Sequence, residues 1–274
     1  MINSAAKKTL RMCIAVVMCF SFSWGIIVFS SSDASATVTT VYQLGFDSCQ
    51  APTVTQLSTW IADSPYYWIG VYYAGANRSC SNANVTSGWA NTVISQGWGI
   101  EPIYAGLQDP CWTGGSLDFS SNTATAFSQG ETQAASAESG LQGIGMSTST
   151  AGNDTVAFDM EGYASTSACL AAEVSFVKGW DTTLAASPSQ VHGIYGSTDS
   201  SYLSSLTGSP APNFIWGALH ETPPDSNTAD MPPVPAGDWD NNDRLKQYTG
   251  THTETYGGVP LSIDNDNADG PVYY

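Results

Sequence analysis

Apolar positions along this chain follow two rhythms. Short, nearly unbroken apolar runs recur at residues 41–47 (VYQLGFD), 67–73 (YWIGVYY), 100–104, 155–160, 191–195, 213–219 (NFIWGAL), 245–248 and 259–264. Runs of that length, bounded by turn residues, predict buried strands. Between them lie stretches whose apolar residues return every three or four positions. Residues 53–62 carry Leu57, Trp60 and Ile61 on one helical face, and residues 86–96 carry Trp89, Val93 and Ile94 before a stop at Gly97. Residues 120–143 are alanine-rich, residues 167–186 place Leu170, Val174, Val177 and Leu184 at helical spacing, and residues 199–206 suit a short helix. Residues 222–239 are rich in Pro and Asp and have no period. No Asn-Gly or Asp-Gly hairpin turn joins neighbouring strands. The alternation therefore predicts an α/β fold, a (β/α)8 TIM barrel, irregular or incomplete in its last third.

The first 36 residues break this pattern. Lys7, Lys8 and Arg11 precede an apolar run over 12–29, and Ala34-Ser35-Ala36 has the small-residue form of a cleavage site. The expectation is a secretory signal peptide, with residues 37–274 as a single domain that is secreted and associated with the cell wall. A membrane anchor is the competing reading for a run of this length; the cleavage pattern favours export, so no stable membrane span is expected. The full chain carries 24 acidic and 7 basic side chains, a net charge of −17, and loss of the leader makes the remainder more negative still. Such a surface excludes nucleic acid as a partner. Cys49, Cys80, Cys111 and Cys169 remain after the leader, an even number in an exported chain, and predict disulfides of open pairing. No close Cys pair and only scattered histidines (His192, His220, His252) argue against zinc, and no metal or cofactor is implied.

The candidate chemistry lies at strand ends. Asp159 and Glu161 are two apart on the fourth strand, so their side chains share a face roughly 6–7 Å apart along the backbone. Mutual repulsion raises one pKa and keeps one group protonated near neutrality, as a general acid requires. Asp47 closes the first strand, and Asp264 and Asp266 close the eighth. In a parallel barrel all five meet at the C-terminal mouth, where active sites are built. Asp47 has a competing reading as a helix cap. The Asp-Asn-Asp-Asn-Ala-Asp-Gly run from Asp264 resembles a calcium loop, but its ligand spacing fails. Tyr72, Tyr104, Tyr195, Trp216 and Tyr248 lie near strand ends, where rings stack on sugar faces, although Trp216 also suits the barrel core. Gln247 and Arg244 are candidates to bind sugar hydroxyls, with packing or surface exposure as the favoured alternative; His220 could face the cleft, although a lone histidine is more often structural; and Asn77 and Arg78 shape its rim.

Five motifs together resemble one family: Gly45-Phe46-Asp47-Ser48-Cys49; Gly70-Val71-Tyr72 with Gly75-Ala76-Asn77-Arg78; Phe158-Asp159-Met160-Glu161; Gly193-Ile194-Tyr195-Gly196-Ser197; and Ile263-Asp264-Asn265-Asp266. The family is a glycoside-hydrolase-like domain of secreted bacterial proteins, and the likeness spans nearly all of residues 41–266. More distantly the chain is similar to family 25 glycoside hydrolases, the lysozyme-type muramidases. The resemblance implies cleavage of a β-linked amino-sugar polymer. Glu161 falls on the general acid, Asp159 on its acidic neighbour, Asp47 on the strand-one acid, and Asp264 or Asp266 on the late acid. The resulting expectation is a monomeric hydrolase with catalytic residues Glu161, Asp159, Asp47 and Asp264, and with Tyr72, Tyr104, Tyr195, Trp216, Gln247 and Asp266 binding a polysaccharide. The alternatives are a glycan-binding barrel without turnover, which shares every residue, and a surface protein whose acids only solubilise it.

Overall fold

The computed structural model describes residues 36–112, 114, 117–146, 154–161, 166–186, 190–198, 202–208 and 210–274. The leader and the turn expected at Gly162 lie outside them. Eight strands close a barrel in chain order: β1 (Val38–Ser48), β2 (Trp68–Ala74), β3 (Gly99–Tyr104), β4 (Thr155–Asp159), β5 (Val191–Ser197), β6 (Phe214–Ala218), β7 (Arg244–Tyr256) and β8 (Val259–Tyr273). Helices α1 (Val54–Asp63), α2 (Ser87–Ser95), α3 (Thr123–Gly143) and α4 (Ser167–Ala186) alternate with the first five strands. The start of α1 is set by Thr53 and Gln56, which satisfy each other's backbone N–H groups in a capping box. Asp47 is therefore not the cap of this helix.

Two apolar layers hold the frame. Strand residues facing outward, such as Phe46, Tyr104 and Phe158, pack on Trp60, Phe176 and Trp180 of the helices. Residues facing inward, among them Trp68, Ile103, Phe214, Trp216 and Leu245, fill the barrel.

The last third departs from the regular pattern in two ways. Between β6 and β7 the chain forms no helix, so the wall there is loop. A buried loop leaves carbonyls that need donors. Arg244 and Lys246, both buried, point outward from β7 and supply them. Arg244 donates to the carbonyls of Asp238 (3.0 Å), Ala229 (3.2 Å) and Pro235 (2.6 Å). Lys246 donates to the Asp230 carbonyl (2.8 Å) and pairs with Glu221 (3.1 Å). Of the two readings of Arg244, packing is the one observed: its guanidinium staples a loop. The helix predicted over 199–206 is reduced, among the described residues, to a 3-10 turn at Leu203–Ser205.

The second departure changes strand direction. β7 and β8 extend well beyond the predicted runs and join through Gly257-Gly258, at φ 56° and 77°. Two consecutive left-handed residues make a two-residue hairpin turn, which glycine adopts at little cost. β8 is therefore antiparallel to both β7 and β1. Asp264 and Asp266 do not end a parallel strand; they lie inside β8, in register with Asp47 and Gly45 of β1. The run that resembled a calcium loop is extended strand. No helix among the described residues is long and apolar enough to cross a membrane.

Candidate active site

A cleft of about 660 Å³ opens at the end of the barrel where β1 to β4 finish, and Asp47, Asp159, Glu161 and Asp264 all line it. Tyr72 and Asn77 form part of its wall. Four carboxylates in one cleft must crowd one another. Asp47, almost wholly buried, is pushed up to about 7, by burial first and then by the Asp264 charge. Asp159, buried with Oδ1 unbonded, is raised well above the ordinary aspartate range by burial, then by Glu161 and Asp47. Glu161 keeps an exposed surface, yet the enclosing walls strip away enough water to raise it, and Asp264 adds to the effect. Asp264 is also raised by burial, against a Thr251 hydrogen bond and the charges of His220 and His252. The arrangement is a set of acids that retain protons toward neutrality beside partners that can carry charge.

Behind this surface lies a bonded floor. Gln247 donates to Asp47 Oδ2 at 2.7 Å, and its carbonyl oxygen accepts from Tyr195 (3.0 Å) and lies 3.0 Å from His220 Nε2. Trp216 donates to Asp266 Oδ1 at 2.9 Å, and Asp266 shares a hydrogen bond with Asp47. A side chain on Gly70 would strike Asp47 Cβ and the Trp216 ring, each at 2.7 Å, so glycine is what lets the ring and the carboxylate meet there. Four expectations are corrected by this layer. Trp216 and Asp266 are fully buried, and Gln247 nearly so with its amide already engaged; none of the three lines the cleft. Tyr104 faces the helices, against Phe158 and Trp180, because its position on β3 points outward.

The sequence profile of the Rv2525c-like, glycoside hydrolase-like domain matches residues 58–268, most of the chain. The chain belongs to this family. Solved structures agree with the fold of a Rv2525c-like domain. The Mycobacterium tuberculosis Tat-secreted protein Rv2525c, in complex with L-tartrate, is similar over 83% of this chain and 96% of its own, at 12% identity and a TM-score of 0.56. The bacterial lysozyme from Streptomyces coelicolor is similar over 85% and 94%, at 14% identity and a TM-score of 0.53. A family 25 glycosyl hydrolase from Bacillus anthracis is similar over 84% and 90%, at 13% identity and a TM-score of 0.50. Among curated proteins none matches the sequence significantly.

Sequence reasoning missed two site residues of this Rv2525c-like domain. Gln108, 1% exposed, follows β3 and clamps the acid-bearing end of β4. Its Nε2 donates to the carbonyls of Asp159 (2.8 Å) and Gly106 (3.1 Å), and its Oε1 accepts from the Glu161 N–H at 2.8 Å. The β3–β4 ladder has ended there, so the carboxamide stands in for a strand neighbour. Trp112 lines the cleft as a partly exposed ring, the kind of surface the predicted tyrosines were meant to provide. Its position directly after Cys111 was the available signal. The cysteines pair as Cys49–Cys80 and Cys111–Cys169, with Cα separations of 5.6 and 6.1 Å. The first ties the loop after Asp47 to the loop after β2. The second ties the loop carrying Gln108 and Trp112 to the start of α4. Both therefore brace loops around the mouth.

Proposed function

We propose that this chain is a secreted, monomeric glycoside hydrolase acting on a β-linked amino-sugar polysaccharide of the cell wall. The observation that carries this reading is the convergence of Asp47, Asp159, Glu161 and Asp264, from β1, the end of β4 and β8, on one cleft. Glu161 donates the proton to the leaving glycosidic oxygen. It is the acid with an exposed carboxyl, and its pKa is raised as that role demands. Asp159 holds a place beside it, and Asp47 or Asp264 stabilises the oxocarbenium-like transition state or orients water. Trp112 and Tyr72 offer ring surface to the sugars. Export is supported by the signal-like leader and by the disulfides, and by the Tat-secreted character of the M. tuberculosis relative. No cofactor takes part in the proposed reaction.

The test is turnover. The purified protein should release reducing ends from peptidoglycan, and Glu161→Gln should abolish release while glycan binding persists. Binding without release by the unsubstituted protein, across peptidoglycan, chitin and common bacterial and plant polysaccharides, would replace the hydrolase with a glycan-binding barrel.

A further inference from the structure

Glu161 borders two cavities, not one. Besides the acid-lined cleft it borders a second space of about 280 Å³, walled also by Met160 and by Tyr195, Ser197, Ala218, Leu219 and His220 at the ends of β5 and β6. The two spaces differ in charge. The larger holds Asp47, Asp159 and Asp264 besides Glu161; among the described residues that wall the smaller, Glu161 is the one carboxylate.

We infer that the polysaccharide crosses Glu161 in one direction only: the sugar that becomes the oxocarbenium ion lies in the larger cleft, and the leaving sugar lies in the smaller cavity beside His220. This rests on the hydrolase reading and adds polarity to it. In glycoside hydrolysis the bond from the anomeric carbon to the bridging oxygen breaks. Positive charge spreads over that carbon and its ring oxygen while the proton of the acid passes to the departing oxygen. The electrons of the broken bond leave with that oxygen, and water forms the new bond to the carbon, its lost proton passing to a carboxylate of the cleft. Carboxylates stabilise the ring that gains positive charge, so that ring belongs among Asp47, Asp159 and Asp264. The departing sugar stays neutral and gains nothing from carboxylates. It requires room and hydrogen-bonding partners past the acid. The smaller cavity, at the low end of ligand-pocket volumes, suits a single ring, and Tyr195, Ser197 and His220 are among the residues that border it.

The polarity can be read directly. Crystals of the purified protein would be soaked with thio-linked tetrasaccharides, which resist hydrolysis, of chitin and peptidoglycan type, each carrying a bromoaryl group at the reducing end. The anomalous bromine peak is expected on the His220 side of Glu161. A peak at the Trp112 end of the larger cleft overturns the polarity and leaves the hydrolase reading standing. Sugar in neither cavity overturns both. Kinetics provides the second measurement. Ala218→Phe, which fills the smaller cavity, should lower kcat/KM on peptidoglycan by about tenfold or more; unchanged kcat/KM overturns the assignment of the leaving sugar.

Discussion

Two strands of this barrel carry the same short pattern, an acid, a spacer and a second acid, and the structure uses them differently. At the end of β4, Asp159 sinks into the wall with one oxygen unbonded while Glu161, just past the strand, reaches the open cleft. On β8, Asp264 lines the cleft while Asp266 is fully enclosed, bonded to Trp216 and Asp47. In each pair one acid is presented and the other serves as foundation, but the foundations differ. The β4 acids depend on a clamp from outside their strand, Gln108. The β8 acids are held by strand register against β1 and β7. Two carboxylates spaced two residues apart are thus not two copies of one function; depth in the barrel decides what each does.

The sharpest way to break this comparison is Glu161→Gln. Loss of the presented β4 acid should lower kcat by about 10²–10⁴-fold, the usual contribution of a general acid. Retained activity would move that role to Asp264. Next, Asp264→Asn removes the charge that helps raise Glu161. Residual activity should then lose its basic limb at lower pH than in the unsubstituted protein, because Glu161 gives up its proton earlier. A limb that stays in place would uncouple the two strands. Gln108→Ala should lower kcat by about tenfold with KM little changed, since the clamp acts on the position of Glu161 and not on sugar binding. An equal rise in KM would mark Gln108 as part of the sugar site instead.

Asp266→Asn should have the smallest effect on turnover, within a few-fold, because asparagine can still donate to Asp47 and accept from Trp216. Stability supplies a separate check on the foundation. Asp47 titrates near pH 7 in the folded protein and within the ordinary aspartate range, about 4, when unfolded. The folded state therefore holds protons that the unfolded chain has released. Stability from this source is complete below about pH 4 and is lost as pH rises toward 7. Calorimetry should show Tm falling across that window, with a shallower fall in Asp47→Asn. A Tm that rises across the window would show the cluster to be charged when folded.

Much of this was legible in the residues. The apolar runs located all eight strands, and the helical spacing located α1 to α4 within a few residues. Asp159 and Glu161 line one cleft, although β4 ends at Asp159 and Glu161 lies just past the strand. What escaped was of two kinds. Gly257-Gly258 is not an Asn-Gly or Asp-Gly turn, and the apolar runs flanking it are shorter than the strands β7 and β8 that it joins. Gln108 and Trp112 were passed over because a lone glutamine or tryptophan in a loop carries no period, and only the fold brings them to β4 and the cleft.

By itself the amino-acid order determined which segments are extended, which are helical, and which side chains on one strand share a face, since those depend on local periods of two and 3.6 residues. It also determined that four cysteines and a set of acids had to be accommodated beyond residue 36 by a chain with few cations. The tertiary structure alone decided that β8 runs antiparallel, that Asp264 meets the cleft while Asp266 lies beneath it, that Trp216 is floor and Tyr104 is outer wall, and which cysteines pair. A period names a face but not what that face meets. The partner of each face is set by strand direction, register and barrel closure, which depend on contacts between residues far apart in the chain.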